Sequence, residues 1–402
     1  MDSHDETKCQ GIDRTTRRED KRACSTAGIE SLPREIIHAI LSKLPISSLI
    51  RFKCVCRAWR MLAQDPQLLD LLKNRSLAEN QCLIFHTDYP ICNQLQFVDL
   101  MANNKEEDKL KKIQTPIPQF NVVLSCNGLL LLSDSLCNIA YVFNPFTKDC
   151  RQLPSIQTQY PNQKVVLGFG FEPITKEYKV VKIIYYYHKY EGHRALFLTI
   201  YPQSEVQVLT LGSSSWRSLG KAPQYVDQSP SRVLVNGRLH WLICPLRYRP
   251  GRNIVSFDLA DEQFKEVPKP DVVKFSSCDY LVELKRCLSA VFYAKYGELD
   301  IWVMKDYGVK ESWVKEFHIG RYVPKALEEE LENRVYETSG IAKRGRHNYN
   351  RVLCALRNGE ILIEKRSRAL IIYDPKTGKF KDLMFQGMPS WFETVVHLGS
   401  LD

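Results

Sequence analysis

Asn127-Gly128-Leu129-Leu130-Leu131-Leu132 leads, after a short gap, to Tyr141-Val142-Phe143-Asn144-Pro145-Phe146-Thr147-Lys148 and then to Leu153-Pro154. An Asn-Gly pair followed by an apolar run marks a strand entered through a tight turn, because Asn and Gly tolerate the positive φ that such turns demand. The pattern returns. Asn236-Gly237-Arg238-Leu239-His240-Trp241 leads to Ile254-Val255-Ser256-Phe257-Asp258 and Val267-Pro268. Asn358-Gly359-Glu360-Ile361-Leu362-Ile363 leads to Leu370-Ile371-Ile372-Tyr373-Asp374-Pro375-Lys376-Thr377-Gly378. Partial copies fall between them: Gly168-Phe169-Gly170-Phe171 with Pro173-Ile174-Thr175-Lys176, and Gly297-Glu298-Leu299-Asp300-Ile301-Trp302-Val303-Met304. Halving the intervals between the Asn-Gly marks approaches the roughly 40 to 50 residues of a propeller blade. A blade cannot bury both sheet faces alone, so units of this kind stack around an axis. The reading is a closed β-propeller of about six blades over residues 80–398, with an irregular β-sandwich or incomplete propeller as the alternative. Lys325 to Arg334, rich in Leu and Glu, reads as a helical insertion.

Upstream of about Cys82 the periodicity is helical. Ser31 and Pro33 are start signals, Glu35 complements the helix dipole, and Ile36, Ile37, Ile40, Leu41 and Leu44 recur at spacings of three and four. Pro45 ends this run. A second helix from Ile46 places Leu49, Ile50, Phe52, Val55 and Cys56, and Arg57 to Leu62 continues into a third. Residues 29–73 thus form a small three-helix module with more apolar side chains than so small a unit can cover, which calls for a permanent partner or for docking onto the rest of the chain. Residues 1–28 hold charged and small polar residues almost alone and read as a disordered arm. The fold class is α+β and multidomain: a helical module followed by a mainly-β, propeller-like repeat domain.

Composition narrows the function. With 44% hydrophobic and 25% charged residues the chain is ordinary globular protein. Thirteen cysteines, scattered without C-x-x-C pairs, point to a reducing compartment, hence cytoplasm and/or nucleus. The Cys54 and Cys56 pair reads as buried small hydrophobes on a helix. No stretch reaches the roughly 18 to 20 apolar residues of a membrane span; Val122 to Leu132 is broken by Ser125, Asn127 and Gly128. The charged N-terminal residues lack the apolar segment of a secretory signal. A net charge of +10 is spread along the chain and mixed with acids, as in Arg17-Arg18-Glu19-Asp20-Lys21-Arg22, so nucleic acid is not the expected partner.

An enzyme needs a nucleophile, a base and a charge stabiliser that converge, and none stands out. His188 and His193 lack a ligand set, and Gly168-Phe169-Gly170 lacks the third glycine of a dinucleotide loop, so strand packing explains it. No catalytic residue, metal or cofactor is expected. Trp216, Trp241, Trp302 and Trp313 recur at comparable places and read as wedges between blades. Tyr185-Tyr186-Tyr187 and Arg247-Tyr248-Arg249-Pro250-Gly251-Arg252 read as exposed contact loops, because aromatic residues and Arg are enriched at hot spots. Tyr186, Tyr187, Arg247, Tyr248, Arg249 and Arg252 are the candidate target-binding residues.

The helical module resembles the F-box: Leu32-Pro33, Ile36, Ile40-Leu41, Leu44-Pro45, Leu49, Arg51-Phe52, Val55-Cys56-Arg57 and Trp59 carry the likeness. The downstream repeat resembles the C-terminal F-box-associated domain of plant F-box proteins, related to kelch-type propellers, through Asn127-Gly128-Leu129, Phe143-Asn144-Pro145, Gly168-Phe169-Gly170-Phe171, Trp216 and Asn236-Gly237. The resemblance implies a non-catalytic substrate receptor of an SCF-type ubiquitin ligase, docked on a Skp-family adaptor held by a cullin, with the β domain binding an unknown protein target. A non-degradative, adaptor-binding scaffold is the alternative. On this resemblance Leu32, Pro33, Ile36, Ile40, Leu44, Pro45, Leu49, Val55, Cys56 and Trp59 are divided between the module's core and its adaptor-facing surface. His38 and Arg34 stand where related modules often carry acids.

Overall fold

The computed structural model describes residues 32–44, 49, 52, 55–63, 65–68, 71, 81–87, 94–100, 110–117, 120–134, 139–155, 163–186, 203–223, 225–226, 233–243, 252–270, 278–294, 297–328 and 350–398. The chain separates into two compact units, Met1–Leu44 and Pro45–Asp402. In the first, α1 (Arg34–Leu41) begins where Pro33 offers its carbonyl to the N–H groups of Ile36 and Ile37 at 3.0 and 3.1 Å, and Glu35 lies in the first turn. A proline here costs nothing, since its missing N–H would be unpaired anyway. The helix stops at Leu41 rather than running to Pro45: Ser42 and Leu44 donate back to His38 and Leu41 in a closing turn. In the second unit, α2 (Arg57–Ala63) is the expected third helix. The expected middle helix falls largely outside the described residues; Leu49 and Phe52 within it are helical.

From Gln81 to Leu398 the described chain is built of twenty-four strands arranged as six four-stranded sheets. Five sheets run in simple meander order: β4 (Asn121–Cys126) to β7 (Cys150–Gln152), β8 (Lys164–Glu172) to β11 (Arg217–Gly220), β12 (Val233–Val235) to β15 (Phe264–Val267), β16 (Cys278–Leu284) to β19 (Trp313–Ile319), and β20 (Asn350–Ala355) to β23 (Lys379–Leu383). The sixth is assembled from both ends of the body. Its order is β24 (Glu393–Leu398), β1 (Gln81–His86), β2 (Gln94–Asp99), β3 (Lys111–Gln114), with β24 antiparallel to β1 in the register Gln81↔Leu398 through His86↔Glu393. The inner strands of successive sheets pack in a ring, β24 on β4, β4 on β8, β8 on the second strand β13 (Arg238–Leu242), β12 on β16, β16 on β20 and β20 on β24. This is a closed six-bladed propeller, and the alternative of a sandwich or open propeller is set aside. Stacking the blades in a ring leaves each sheet only short, protected edges, which limits pairing with another chain.

The turns follow the sequence closely. Asn127-Gly128 and Asn236-Gly237 both carry two positive φ values, 43° and 84° in the first and 51° and 70° in the second, as a two-residue hairpin turn requires. Asn358-Gly359 instead sits in a longer connection closed by Leu356 N–H to the Glu360 carbonyl at 2.8 Å. The Pro-x-Thr-Lys element is a self-capped turn. In Asn144-Pro145-Phe146-Thr147-Lys148 the Asn144 Oδ1 accepts from the N–H of Phe146 and Thr147 at 3.0 and 3.2 Å. In Asp374-Pro375-Lys376-Thr377-Gly378 the Asp374 carboxylate accepts from Lys376 N–H and Thr377 Oγ1. The copy at Glu172-Pro173 uses the same device but lies two hairpins earlier in its blade, between β8 and β9 (Glu177–Tyr186). Lys325–Leu327 forms a 3-10 turn; the rest of the expected helical insertion, beyond residue 328, lies outside the described residues.

Every seam between blades carries apolar packing and a polar tie. Trp216 Nε1 donates to the Pro154 carbonyl at 3.0 Å, and Trp313 Nε1 to the Pro268 carbonyl at 2.9 Å, two equivalent bonds two blades apart. Trp241 is fully buried, and a Cβ at Gly168 would lie 2.9 Å from its ring and 2.8 Å from Leu239. These three are the wedges that the sequence implied, and Gly168-Phe169-Gly170 is strand packing. Trp302 is half-buried and packs against the apolar cluster that its blade shares with the preceding one, which joins Val235, Leu242 and Ile254 to Leu281 and Leu288. Lys179 Nζ reaches Leu259 O and Glu262 across the next seam, and Tyr280 accepts Val352 N–H at 2.7 Å. Glu364 accepts Thr394 N–H at 2.6 Å, and Ser125 Oγ meets His397 Nδ1 at 2.9 Å on either side of β24.

Candidate functional site

Two surfaces carry the sequence's candidate residues. On α1, Ile36 and Ile40 lie four residues apart and are exposed by 47% and 43%, while Ile37, His38 and Leu41 are buried; Leu32, two residues before the helix, is exposed as well. Spacing of four places Ile36 and Ile40 on one stripe and leaves the other face covered. Pro33 is exposed beside Leu32, and Leu44 is half-buried. Elsewhere in the helical module Leu49 is buried, Val55 is 63% exposed, and Trp59 is half-buried with its ring 4.8 Å from Phe52. Pro45 lies outside the described residues. Cys56 is exposed and free, which corrects the expectation of a buried small hydrophobe; Cys54 lies outside the described residues. Met61 and Leu71 are exposed apolar residues that the sequence reading passed over, because neither belongs to the stripe of α1.

The second surface is set by topology. In each blade the turns between first and second strands and between third and fourth share one face, while the second-to-third turns and the blade-to-blade connections share the other. Tyr186 ends β9 and Arg252 precedes β14 (Ile254–Asp258), so the two candidate contact loops belong to that second face on neighbouring blades. Tyr187, Arg247, Tyr248 and Arg249 lie outside the described residues. Tyr186 is half-buried; Arg252 is half-buried and its guanidinium donates to the Asp279 carbonyl at 3.4 Å. Tyr185, taken with them as exposed, is buried, with its hydroxyl accepting Val226 N–H at 3.1 Å. Strand alternation explains the correction, since neighbours in a strand face opposite sides of the sheet.

Among the described residues no group of three metal-ligating side chains converges, and His188 and His193 lie outside them. The buried titratable groups are locked into blade seams: burial pushes the His240 imidazole down to about 4 and His397 to about 3, and the Cys126 and Cys354 thiols up to about 12. A shallow cleft of about 400 Å³ between β7 and the turn after β10 (Gln203–Thr210) is lined by Arg151, Pro154, Leu211 and Ser213, without a nucleophile-base pair. Among the described residues no helix is long and apolar enough to cross a membrane.

Comparison with known proteins matches two families along the chain. The F-box associated beta propeller domain family matches residues 82–399, and the F-box-like family matches residues 29–69. An F-box protein of Arabidopsis thaliana is 49% identical over 393 residues, covering 93% of this chain and 92% of that protein. An F-box/kelch-repeat protein of the same plant is 28% identical over 306 residues, covering 71% and 78%, and the Arabidopsis F-box protein CPR1 is 26% identical over 395 residues, covering 92% and 88%. With its six-bladed body and an F-box ahead of it, the chain belongs to the family of plant F-box proteins that carry an F-box associated beta propeller domain.

Proposed function

We propose that this protein is a non-catalytic substrate receptor of an SCF-type ubiquitin ligase in the cytoplasm or nucleus. Its F-box docks on a Skp-family adaptor and through it on a cullin, while the propeller holds the protein to be ubiquitinated. One observation carries the reading: the Ile36 and Ile40 stripe of α1, with Leu32 just ahead of the helix, is bare although the opposite face, Ile37 and Leu41, is buried. Bare aliphatic side chains at four-residue spacing are the anchors by which a helix seats in a partner's apolar groove. Pro33, Val55 and Cys56 are exposed and fit adaptor contacts, whereas Leu49 is buried and does not. The receptor works by tethering, raising a target's effective concentration near a charged enzyme to the order of millimolar.

The test is capture of the full chain on an immobilised Skp-family adaptor. Ile36→Asp with Ile40→Asp is expected to lower the affinity by roughly a hundredfold, since two apolar anchors are each worth about 1.5–3 kcal/mol, without shifting the propeller's unfolding midpoint. Undiminished capture by that variant overturns the interface.

A further inference from the structure

Two seams of the ring are built on one plan and finished differently. At each, a tryptophan at the head of the outer strand donates to the carbonyl of a proline just after the preceding blade's last strand, Trp216 to Pro154 and Trp313 to Pro268. In the second of them, the turn between β18 (Leu299–Met304) and β19 sends Tyr307 across the seam. Its hydroxyl meets His240 Nε2 at 2.7 Å, and its ring centre lies 5.3 Å from the Arg238 guanidinium. Lys265, two residues before Val267-Pro268, pairs with Asp261 and lies 3.9 Å from Asp258. A tyrosine thus plugs that seam, and its lysine is neutralised.

The first seam lacks both. Its corresponding turn, after β10, is Gly212-Ser213-Ser214-Ser215, which carries no large side chain. The cleft of about 400 Å³ lies here, with Arg151 and Ser155 on one wall, Ser213 and Ser214 on the other, and the buried Leu153 and Leu209 between them. Arg151 holds the place of Lys265: it stands two residues before Leu153-Pro154 and opposite Val142 of β6 (Ile139–Phe143), as Lys265 stands opposite Ser256 of β14. Unlike Lys265, Arg151 is exposed with no carboxylate in ion-pair contact among the described residues. The Ser155 and Ser214 hydroxyls likewise make no hydrogen bond among those residues. The frame around them is fixed. Ser213 gives both its N–H and its Oγ to the Thr210 carbonyl, at 3.0 and 2.7 Å, Leu211 N–H donates to Tyr178 O at 2.8 Å, and Leu153 N–H to Ala140 O at 2.9 Å.

We propose that this cleft seats a phosphate monoester carried on a side chain of a partner protein, with Arg151 as its charged anchor and the Ser155 and Ser214 hydroxyls as further donors. A phosphate group offers three strong acceptor oxygens, and a guanidinium facing hydroxyls across a gap suits them better than it suits the two oxygens of a carboxylate. The cleft is shallow, so the bulk of a ligand stays outside it. That fits a side chain presented from a protein surface, whereas a free metabolite calls for a pocket that encloses most of it. Nucleic acid is the poorer fit, because a phosphate backbone is tracked by a row of cations and this cleft holds one. The assignment rests on the receptor reading for its biological meaning, since it names one chemistry by which the propeller recognises cargo.

The experiment measures fluorescence polarisation of a labelled degenerate peptide pool centred on phosphoserine, and of its serine and glutamate counterparts, against the full chain. Arg151→Gln removes the anchor from an exposed position, so a folding defect is not expected. Lys148→Gln removes one exposed charge from the turn just before β7 and controls for general attraction. Ser214→Tyr keeps Arg151 and supplies the plug that Tyr307 provides in the equivalent seam. Preference for the phosphoserine pool, about a tenfold loss in Arg151→Gln, a comparable loss in Ser214→Tyr and none in Lys148→Gln support the proposal. No preference over the glutamate pool, an equal loss in Lys148→Gln, or full binding by either cleft variant overturns it. Inorganic phosphate that displaces the pool at equal concentration also overturns it, because the protein segment then contributes nothing. Adaptor capture by the same preparations separates the two ideas: capture without a phosphoserine preference sinks the cleft assignment alone, and a phosphoserine preference without capture sinks the receptor reading alone.

Discussion

His397 is the residue whose environment makes the sharpest demand. It lies fully buried in β24 with Nδ1 against Ser125 Oγ, and burial pushes its imidazole from 6.5 to about 3. A base held neutral in the folded state and free to charge when unfolded favours unfolding as pH falls. Its contribution is intact above about 6.5 and is lost progressively down to the folded value. His240, buried beside Tyr307 and depressed to about 4, acts in the same window and direction. Each histidine should remove ~1.4 kcal/mol per pH unit there. Urea unfolding at pH 7.5 and 5.5 is expected to show a lower midpoint at the acid pH, and His397→Gln should reduce that pH-dependent drop relative to wild type. Packing at Gly168 allows an equally direct forecast. A Cβ there meets Leu239 at 2.8 Å and the immobile Trp241 ring at 2.9 Å, so Gly168→Ala should cost about 1–3 kcal/mol by thermal denaturation although its φ suits any residue. The sequence showed that these glycines belong to strands, yet not which residue of another blade requires them.

At the scale of elements, legibility followed turn chemistry. Asn-Gly pairs announced β4 to β5 (Leu129–Asp134) and β12 to β13 because only a few residue types accept two positive φ values in succession. The corresponding hairpin of the next blade turns through Lys285-Arg286, at φ 52° and 65°, and nothing in that residue pair signals it. Left-handed geometry at Arg286 is held by its N–H donating to Glu283 Oε1 at 2.8 Å, a backbone bond that glycine also makes. Arg286→Gly is therefore expected to raise stability by about 1 kcal/mol, read as a higher unfolding midpoint; a lower midpoint would mean that the arginine side chain holds the turn. Helix α1 shows the complementary limit. Its apolar residues at i, i+3 and i+4 identify a helix, but a stripe that wraps both sides leaves open which half is covered. Coordinates alone divide Ile36 and Ile40 from Ile37 and Leu41. The tyrosine run at the end of β9 was misjudged for a related reason: composition marked it as contact material, and strand alternation buried Tyr185.

For the whole molecule, repetition in the sequence implied blades and their approximate number, because each unit repeats its own turn residues. Closure left no such mark. The strand that seals the ring, Glu393–Leu398, has no Asn-Gly entry, and its partner β1 lies at the other end of the body. A seam between distant segments depends on register and on contacts with two neighbouring blades, neither of which is a local property of either segment. Thr394 turns its N–H away from β1 to Glu364, so strand alternation turns that of Val395, opposite Ile84, into the ladder. Val395→Pro removes that donor and leaves a buried carbonyl unpaired, at a cost of about 1–3 kcal/mol before ring strain is counted. If the propeller is one cooperative ring, the damage spreads. Hydrogen exchange should then quicken at Leu83 and Phe85 of β1 and also at Val255 and Phe257 of β14, three blades away, with one unfolding transition at a lower midpoint. Faster exchange confined to β1 and β2 (Gln94–Asp99), with β14 protected as before, would show instead that the seam opens by itself and that the other five blades stand without it.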